Sequence, residues 1–544
     1  MKILLVQCFA ILVRYMVSLW PFSGQGDEPL HGDYEAQRHW MEITLGVPLG
    51  LWYRFDLEYW GLDYPPLTAY VSWLCGQLSK AVEPESMVLG LSRGYETLNH
   101  KVFMRSTVLA LDFMIFFPAA FYLVSRLASS REVTSRQARS PSEMPLLMAV
   151  MQPSLILIDH GHFQYNSVCL GLAMGAAAAI VGGGRKGEVL GSVLFCLSLN
   201  FKQMALYYAP AFFFYLLACC LWGIDGNGNG DGGRESGRGA RGVTIGWVAC
   251  AARRVLLLGA VVILTFGFLW WPFCVYDGGY GCFSSLTQVL VRLFPFSRGL
   301  FEDKVANIWF CIDVVFKLRR KLDVPHLAKL ALLSTISLLV PVGIELLRPG
   351  RRLTGRRLVL SMFNASLAFF LSSYSVHEKS LLLALCPLAF LWEASPLFVT
   401  WLQVVGAFSM KPLLAREGLL IPCAACTVLY VVLSAVLSKS MPQVADGKDP
   451  RTETCLLSGR LVTQGRLRAL VALSVAGMVL LTALEGVLMP PESLPHLHPT
   501  LNAIFSCGNL VVAYVLGIIW QWREGGAEKV PLAVEDRSEG KKYR

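Results

Sequence analysis

The chain is 544 residues long, 54% hydrophobic and only 16% charged, with a mean hydropathy of +0.51; soluble proteins carry roughly 25% charged residues. Apolar runs of about 20 residues, the length that crosses a bilayer, recur almost throughout, which excludes a large soluble protein with an oversized core. The net charge of +10 does not point to nucleic acid, because the Lys and Arg residues sit in short loops between apolar runs, where they set membrane orientation.

Residues 3–20 form the first apolar run. Arg14 interrupts it and no clear small-residue cleavage site precedes Gly24, so a retained anchor is expected rather than a cleaved signal peptide. From Pro21 to about Lys101, charges mix with apolar residues too closely for a span, yet Trp40, Trp52, Tyr53, Tyr59, Trp60 and Tyr64 are of the types that settle at a membrane interface. This stretch is expected to lie on the membrane. It holds a dense run of carboxylates, aromatics and turn formers, from Gly32 to Trp40 and again from Asp56 to Pro66.

The next span, 104–126, leads into a loop with Arg131, Arg136 and Arg139, which the positive-inside rule assigns to the cytosol. Asp33 then falls on the opposite, lumenal side. Spans follow at 145–158, 167–181, 189–199 and 205–222, several too short for a straight crossing, which is tolerated where helices are buried or line a cavity. Polar turns from Asp159 to Asn166 and from Asn200 to Met204 are lumenal; the turn from Gly182 to Glu188 is cytosolic. Residues 223–242, Gly-rich with Arg234, Arg238 and Arg241, read as a flexible cytosolic loop.

A span at 255–272 returns to the lumen, where a second polar cluster runs from Arg292 to Trp309. Residues 305–317 are expected along the interface rather than across it. That placement leaves Arg351, Arg352, Arg356 and Arg357 cytosolic, as the charge rule requires of the strongest basic loop, and His377 lumenal. Spans at 327–347, 358–374, 380–392, 397–408, 419–437, 467–488 and 501–520 bring the total to fourteen. Lys541 and Lys542, third and fourth from the end, resemble a dilysine retrieval signal of endoplasmic-reticulum membrane proteins, which works only in the cytosol; a solvated basic tail is the plainer alternative. Asn364-Ala365-Ser366 lies inside an apolar run and should be inaccessible to glycosylation. The 15 cysteines follow no disulfide spacing. Cys274 and Cys282 are the one candidate pair, with a free buried pair favoured.

The expected organisation is a first transmembrane helix at 1–20, a lumenal first loop with catalytic carboxylates at 21–103, core helices at 104–276 including a flexible cytosolic loop at 223–252, a lumenal loop with an interfacial helix at 277–326, C-terminal spans at 327–521, and a cytosolic tail at 522–544. The fold class is an all-α polytopic membrane protein with both termini cytosolic.

Three lumenal clusters then share one side: the first loop, the Arg292 to Trp309 segment, and Tyr374 to Lys379. Charges in a membrane cost about 2.5–3.5 kcal/mol each on insertion scales, so their grouping points to a common site. Carboxylates on one loop with cations on two others suit transfer of a group from a phosphate. An acceptor hydroxyl needs a base, whereas a lipid phosphate leaves readily and needs only cations or hydrogen bonds for its growing charge. Taken alone, Asp33 is equally a helix cap before Tyr34, Asp63 a turn former, and His377 and Lys379 the close of a helix end. His160 and His162 with Asp159 lack a clear third and fourth partner for a metal, and no metal or cofactor is expected.

Gly32 to Thr44, Glu58 to Tyr70, Ser92 to Glu96, His100-Lys101, Phe103-Met104-Arg105, Gly161 to Ser167, Lys202 to Met204, Arg292 to Trp309 and Val376 to Lys379 closely resemble the endoplasmic-reticulum glucosyltransferases that extend the lipid-linked N-glycan precursor. The likeness covers roughly residues 1–414. It implies a GT-C fold, a lumenal active site, a dolichyl-phosphate glucose donor, a dolichyl-pyrophosphate-linked oligosaccharide acceptor and inversion at the anomeric carbon without metal. Carried onto this chain, Asp33 is the general base and Asp63 a second acidic residue of the site. His377 contacts the donor phosphate, with Lys379 and Arg298 contributing to the same charge, and Glu35 and Glu378 orient them. The runs Glu35 to Glu42, Gly94 to Glu96 and Glu302 to Val305 favour the enzyme of the first alpha-1,3-glucose over the sister that adds the second. A lipid or solute transporter is the more distant alternative, but no repeated halves are seen and the polar residues gather on one side.

Overall fold

A computed structural model describes residues 2–129, 143–222, 245–294, 299–301, 304–349, 353–441 and 463–524. The loop with Arg131, Arg136 and Arg139, the Gly-rich loop, Arg298, Glu302, Asp303, Arg351, Arg352 and the Lys541-Lys542 tail lie outside the described residues. Every regular element among the described residues is helical, and the one strand-like feature is a parallel bridge between Phe301 and Val376.

The chain opens with α1 (Lys2–Ser18), then α2 (Asp33–Gly46) and α3 (Pro66–Val82) of the first polar loop. α4 (Leu98–Leu111) passes through a π turn at Asp112–Phe116 into α5 (Phe117–Ser129), and α6 (Glu143–Val150) and α7 (Pro153–Ile156) end in a second π segment, Leu157–Phe163. The hairpin of α8 (Asn166–Gly182) and α9 (Gly184–Phe201) follows, then α10 (Ala209–Trp222), the long α11 (Ile245–Val275), and the short α12 (Cys282–Leu293), α13 (Ile308–Phe316) and α14 (Leu318–Lys321). The remainder is α15 (Val324–Leu347), α16 (Gly355–Ser372), α17 (Leu382–Ala389), α18 (Pro396–Ser409), α19 (Lys411–Arg416), α20 (Leu420–Lys439), α21 (Gln464–Val487) and α22 (Leu497–Glu524).

Seven helices among the described residues are long and apolar enough to cross a membrane: the continuous 98–129 helix, 203–222, α11, α15, α20, α21 and α22. Their outer faces are apolar; on α11, Leu256, Ile263, Leu264 and Phe268 are 71–82% exposed. Such a surface suits lipid and would aggregate in water, so the chain is a polytopic membrane protein. Other apolar runs form shorter, internal helices. In the α8–α9 hairpin, Gly187 and Gly191 abut the carbonyls of Ala179 and Ala176, a close approach that only small residues permit. α17 has eight residues, all buried, and at about 12 Å is far shorter than a bilayer; a broken helix is tolerated there because protein surrounds it. α13, with nine residues, is likewise too short to cross.

The first loop is a packed unit. α3 turns Thr68, Ala69, Ser72, Gly76 and Ser79 inward, while Trp73, Leu74, Leu78 and Val82 are 44–60% exposed. Small residues inside and large apolar residues outside are the pattern of a helix lying on a membrane. Trp40, Trp52 and Tyr53, expected at the interface, are instead buried in a core with Phe273 and Leu293 that fastens the loop to the ends of α11 and α12. Their burial is possible because the indole N–H groups find acceptors, Trp40 on Trp60 O at 3.0 Å and Trp52 on Val47 O at 2.9 Å. Cys274 and Cys282 are joined by a disulfide, correcting the free pair favoured from sequence. Asn364 is buried in α16 and donates to Gly517 O at 3.0 Å and Gln521 Oε1 at 2.8 Å. Arg14, which interrupts the first apolar run, is buried and pairs through Nε with Asp112 Oδ2 at 2.5 Å. Asp112 opens the π turn, a common device for re-aiming a helical residue.

Candidate active site

The backbone enters α2 through Gly32, an extended cap residue. A Cβ there would strike Ser23, whose amide is held by His162 O at 2.9 Å. Asp33 is therefore the first helical residue and not the cap itself, and its carboxylate faces neighbouring segments. His162 Nε2 meets Oδ2 at 2.9 Å, and Gln164 Nε2 and Lys379 Nζ converge on the same oxygen. No donor among the described residues reaches Oδ1, and the side chain keeps 23% of its exposure.

His162 comes from the π segment, which ends at Phe163 with φ of +93°, a strained conformation for a bulky residue and one that clusters at functional sites. The buried Phe163 ring lies edge-on to Tyr34 at 4.9 Å and anchors the turn. The other ring nitrogen of His162, Nδ1, meets Glu417 Oε1 at 2.6 Å. A ring facing two carboxylates donates to both only as the imidazolium. Burial and Lys379 push His162 down, but Asp33 and Glu417 prevail and hold it above its ordinary value. Lys379 Nζ lies 3.1 Å from Nε2, which for a protonated ring is a like-charge approach that Asp33 must neutralise. Burial pushes the Asp33 carboxyl up, yet Lys379 and His162 outweigh it and hold it well below the usual carboxylate range. Burial lowers Lys379, and Asp33 more than restores it. The Asp33 carboxylate thus lies between the Lys379 ammonium and the His162 ring, with Glu417 on the far side of that ring.

A third basic side chain, its ammonium pushed down by burial, stands behind them. Lys202, at the end of α9, is buried, donates to Asn166 Oδ1 at 2.7 Å and lies 4.9 Å from the Tyr64 ring centre. A cavity of about 10 Å³, room for roughly one water, is lined by Lys202, Lys379 and Asn166. Asp63 flanks Tyr64, with its carbonyl accepting from Gln203 Nε2 at 3.2 Å; Arg292 braces the preceding carbonyls of Gly61 and Leu62 at 2.8 and 3.1 Å. Burial and then Asp63 raise the Tyr64 phenol, Asp33 acts in the same sense and Lys379 opposes them, so Asp63 shares a field with Asp33 and Lys379. The Tyr374 to Lys379 loop is tied to the preceding cluster by Ser375 N on Leu300 O at 2.8 Å and by the Phe301–Val376 bridge. The three polar stretches singled out in the sequence therefore meet.

A profile of the ALG6, ALG8 glycosyltransferase family matches residues 8–516. The chain belongs to this family. It is 37% identical over 521 residues to the probable dolichyl pyrophosphate Man9GlcNAc2 alpha-1,3-glucosyltransferase of Dictyostelium discoideum, covering 94% of this chain and 93% of that one. It is 36% identical over 534 residues to the dolichyl pyrophosphate Man9GlcNAc2 alpha-1,3-glucosyltransferase of Gallus gallus, covering 96% and 97%. The probable Schizosaccharomyces pombe counterpart is 40% identical over 415 residues, covering 75% and 74%.

Within this ALG6, ALG8 family chain, Asp33 and Lys379 are in direct contact and Asp63 is near them. His377 caps the turn that carries Lys379, accepting from Ser380 N at 3.0 Å, and Glu378 on that turn faces Arg416 at 3.9 Å. Glu35 is drawn elsewhere: its oxygens lie 2.6 and 2.7 Å from Arg38, and Tyr59 donates to it at 3.1 Å. His162, Gln164, Lys202 and Glu417 were not assigned to the site from sequence. The polar run from Asp159 to Asn166 between apolar helices was the available signal. His160 and His162, weighed there as a metal pair, diverge, the first to Asp112 at 3.0 Å and the second to Asp33.

Proposed function

We propose that this protein transfers glucose from dolichyl-phosphate glucose to the terminal mannose of a dolichyl-pyrophosphate-linked oligosaccharide, forming the first alpha-1,3-glucose linkage of the N-glycan precursor. The acceptor hydroxyl oxygen forms a bond to the anomeric carbon, the bond from that carbon to the lipid phosphate breaks, and the proton goes to Asp33. The carrying observation is the loading of three donors onto Asp33 Oδ2 with Oδ1 left clear: Oδ2 fixes the carboxylate and keeps it ionised, and Oδ1 takes the proton. A base of low intrinsic pKa suffices because the hydroxyl grows acidic as its bond to carbon forms. Lys379 and Lys202 face the cavity beside it, where buried cations stabilise the charge gathering on the departing phosphate. His377, Arg298 and Asp63 complete the donor and acceptor contacts, and Glu378 orients the Lys379 turn.

We read the chain as a GT-C glycosyltransferase of fourteen crossings in the endoplasmic-reticulum membrane, with the site lumenal and both termini cytosolic. The Cys274–Cys282 disulfide supports that sidedness, since it lies on the segment packed against the Asp33 loop and disulfides persist in an oxidising compartment. Relatives named for a glucose-free Man9GlcNAc2 acceptor favour the first glucose over the second. Mass spectrometry of lipid-linked oligosaccharides from cells lacking the protein tests this. Accumulation of the glucose-free form is expected, and accumulation of a monoglucosylated form would assign the second step instead.

A further inference from the structure

The transfer step as proposed makes no use of Glu417, although its Oε1 lies 2.6 Å from His162 Nδ1. The backbone fixes this carboxylate. α19 ends in a Schellman turn with Glu417 as its cap, Gly418 at φ of +70°, Gly418 N on Ala415 O at 3.2 Å and Leu419 N on Leu414 O at 2.8 Å, the pattern in which glycine takes the left-handed position past a helix. Leu419 is fully buried and packs on Gly161, where a Cβ would come within 3.1 Å of its Cδ1. The turn that carries Glu417 therefore rests on the residue before His162.

The side chains of His162 and Glu417 keep only 2% and 9% of their exposure. Glu417 Oε2 has no hydrogen-bond partner among the described residues, so the contact with Nδ1 is the main offset to the carboxylate's lost hydration. Asp33, from α2, favours a proton on Nε2 at 2.9 Å, and Lys379, from the turn before α17, opposes it at 3.1 Å. Arg105 of α4 donates to Gly161 O at 2.6 Å and lies in the field of Glu417. Asp112 is taken up by Arg14 and His160, and Arg416, next to Glu417, faces Glu378 at 3.9 Å. Burial and Lys379 thus work against a second proton on the ring, and Asp33 and Glu417 work for it. An imidazole whose Nδ1–H is accepted by a carboxylate is fixed in orientation and holds a proton at Nε2 to higher pH.

We propose that Glu417 is a positioning residue of this site: it accepts Nδ1–H of His162 and keeps the Nε2 proton on Asp33 Oδ2, so that Oδ1 is the oxygen left to take the proton of the sugar hydroxyl. The inference rests on Asp33 as the base of glucosyl transfer. Full-length wild type, Glu417→Gln, Glu417→Asp and Asp33→Asn are to be reconstituted, shown folded by a thermal melt, and compared in kcat/KM for transfer from dolichyl-phosphate glucose across pH. Glu417→Ser stands in if Glu417→Gln does not fold. Gln keeps an acceptor beside Nδ1 and loses the charge, so the ring gives up its second proton at lower pH. The alkaline limb should therefore fall by about one pH unit, which is about tenfold in kcat/KM on that side, and Glu417→Asp should keep the limb near its wild-type position. A merely structural role would lower kcat/KM evenly across pH. An even loss or an unchanged profile in the neutral variant, with Asp33→Asn inactive, overturns the role of Glu417 and leaves Asp33 as the base; turnover by Asp33→Asn overturns both.

Discussion

Replacing Lys379 with Gln removes the cation nearest the proposed base while keeping a donor of similar length. Two unit charges about 4 Å apart interact by ~4 kcal/mol at an effective dielectric of 20 and ~1 kcal/mol in water. With Lys379 and Asp33 side chains only 19% and 23% exposed, the site lies nearer the first limit, and ~3 kcal/mol corresponds to roughly a hundredfold in rate. The expected loss in kcat/KM is therefore about a hundredfold, in line with removal of a single oxyanion donor. The pH profile should move as well. Lys379 is one of two groups that hold the Asp33 carboxyl low against its burial, so without it the carboxyl titrates at higher pH. A base must be ionised to act, hence the acid limb shifts upward and more activity is lost at pH 5 than at pH 7. Lys379→Arg should recover part of both effects. The assay is transfer of labelled glucose from dolichyl-phosphate glucose to a lipid-linked acceptor by reconstituted protein across pH. An acid limb that does not move, together with near-normal kcat/KM, would refute the placement of Lys379.

Glu42 is fully buried between Arg38 and His39; burial raises its carboxyl, but His39, Arg38 and the Gly90 amide bring it from 4.5 to about 2. That lowering contributes ~3 kcal/mol that is fully present above about pH 4.5 and lost as pH falls toward 2, so Glu42→Gln should lower the melting temperature at pH 7 and the gap should close in acid. Arg357 and Glu345, both 0% exposed and 2.8 Å apart, should each cost ~3–5 kcal/mol when changed singly to Leu, with the double variant costing less than the sum; additive losses in denaturation would show that the pair is uncoupled. Cys274 and Cys282 should resist a thiol-alkylating reagent in unfolded protein until it is reduced; alkylation without reductant would contradict the bond.

Much of this was open to inspection in the chain. The charge at Asp33 and at Lys379 stood out against apolar surroundings because a membrane makes each such residue costly, and the positive-inside rule put both on one side before any contact was known. The buried aromatics of the first loop were misread because Trp and Tyr are equally suited to an interface and to a core that supplies an acceptor; only tertiary contacts with Phe273 and Leu293 decide between them. His162 was missed as an Asp33 partner because its direction depends on a π segment and on the left-handed backbone at Phe163, and neither has a reliable signature in side-chain periodicity. The same reason hid the division of labour between His160 and His162, two residues apart and facing different carboxylates. Glu35 was drawn into the site by its nearness to Asp33 in sequence, but two positions along a helix turn a side chain away, and Arg38, three positions on, captures it.

Asp33 is the proposed base of the transfer. Purified wild-type protein and Asp33→Asn, reconstituted with dolichyl-phosphate glucose and a dolichyl-pyrophosphate-linked Man9GlcNAc2 acceptor, can be compared by mass spectrometry of the product oligosaccharide. Wild type should add one hexose, and Asp33→Asn should add none above background while remaining folded and still binding the donor. Turnover by Asp33→Asn close to that of wild type would rule out Asp33 as the base.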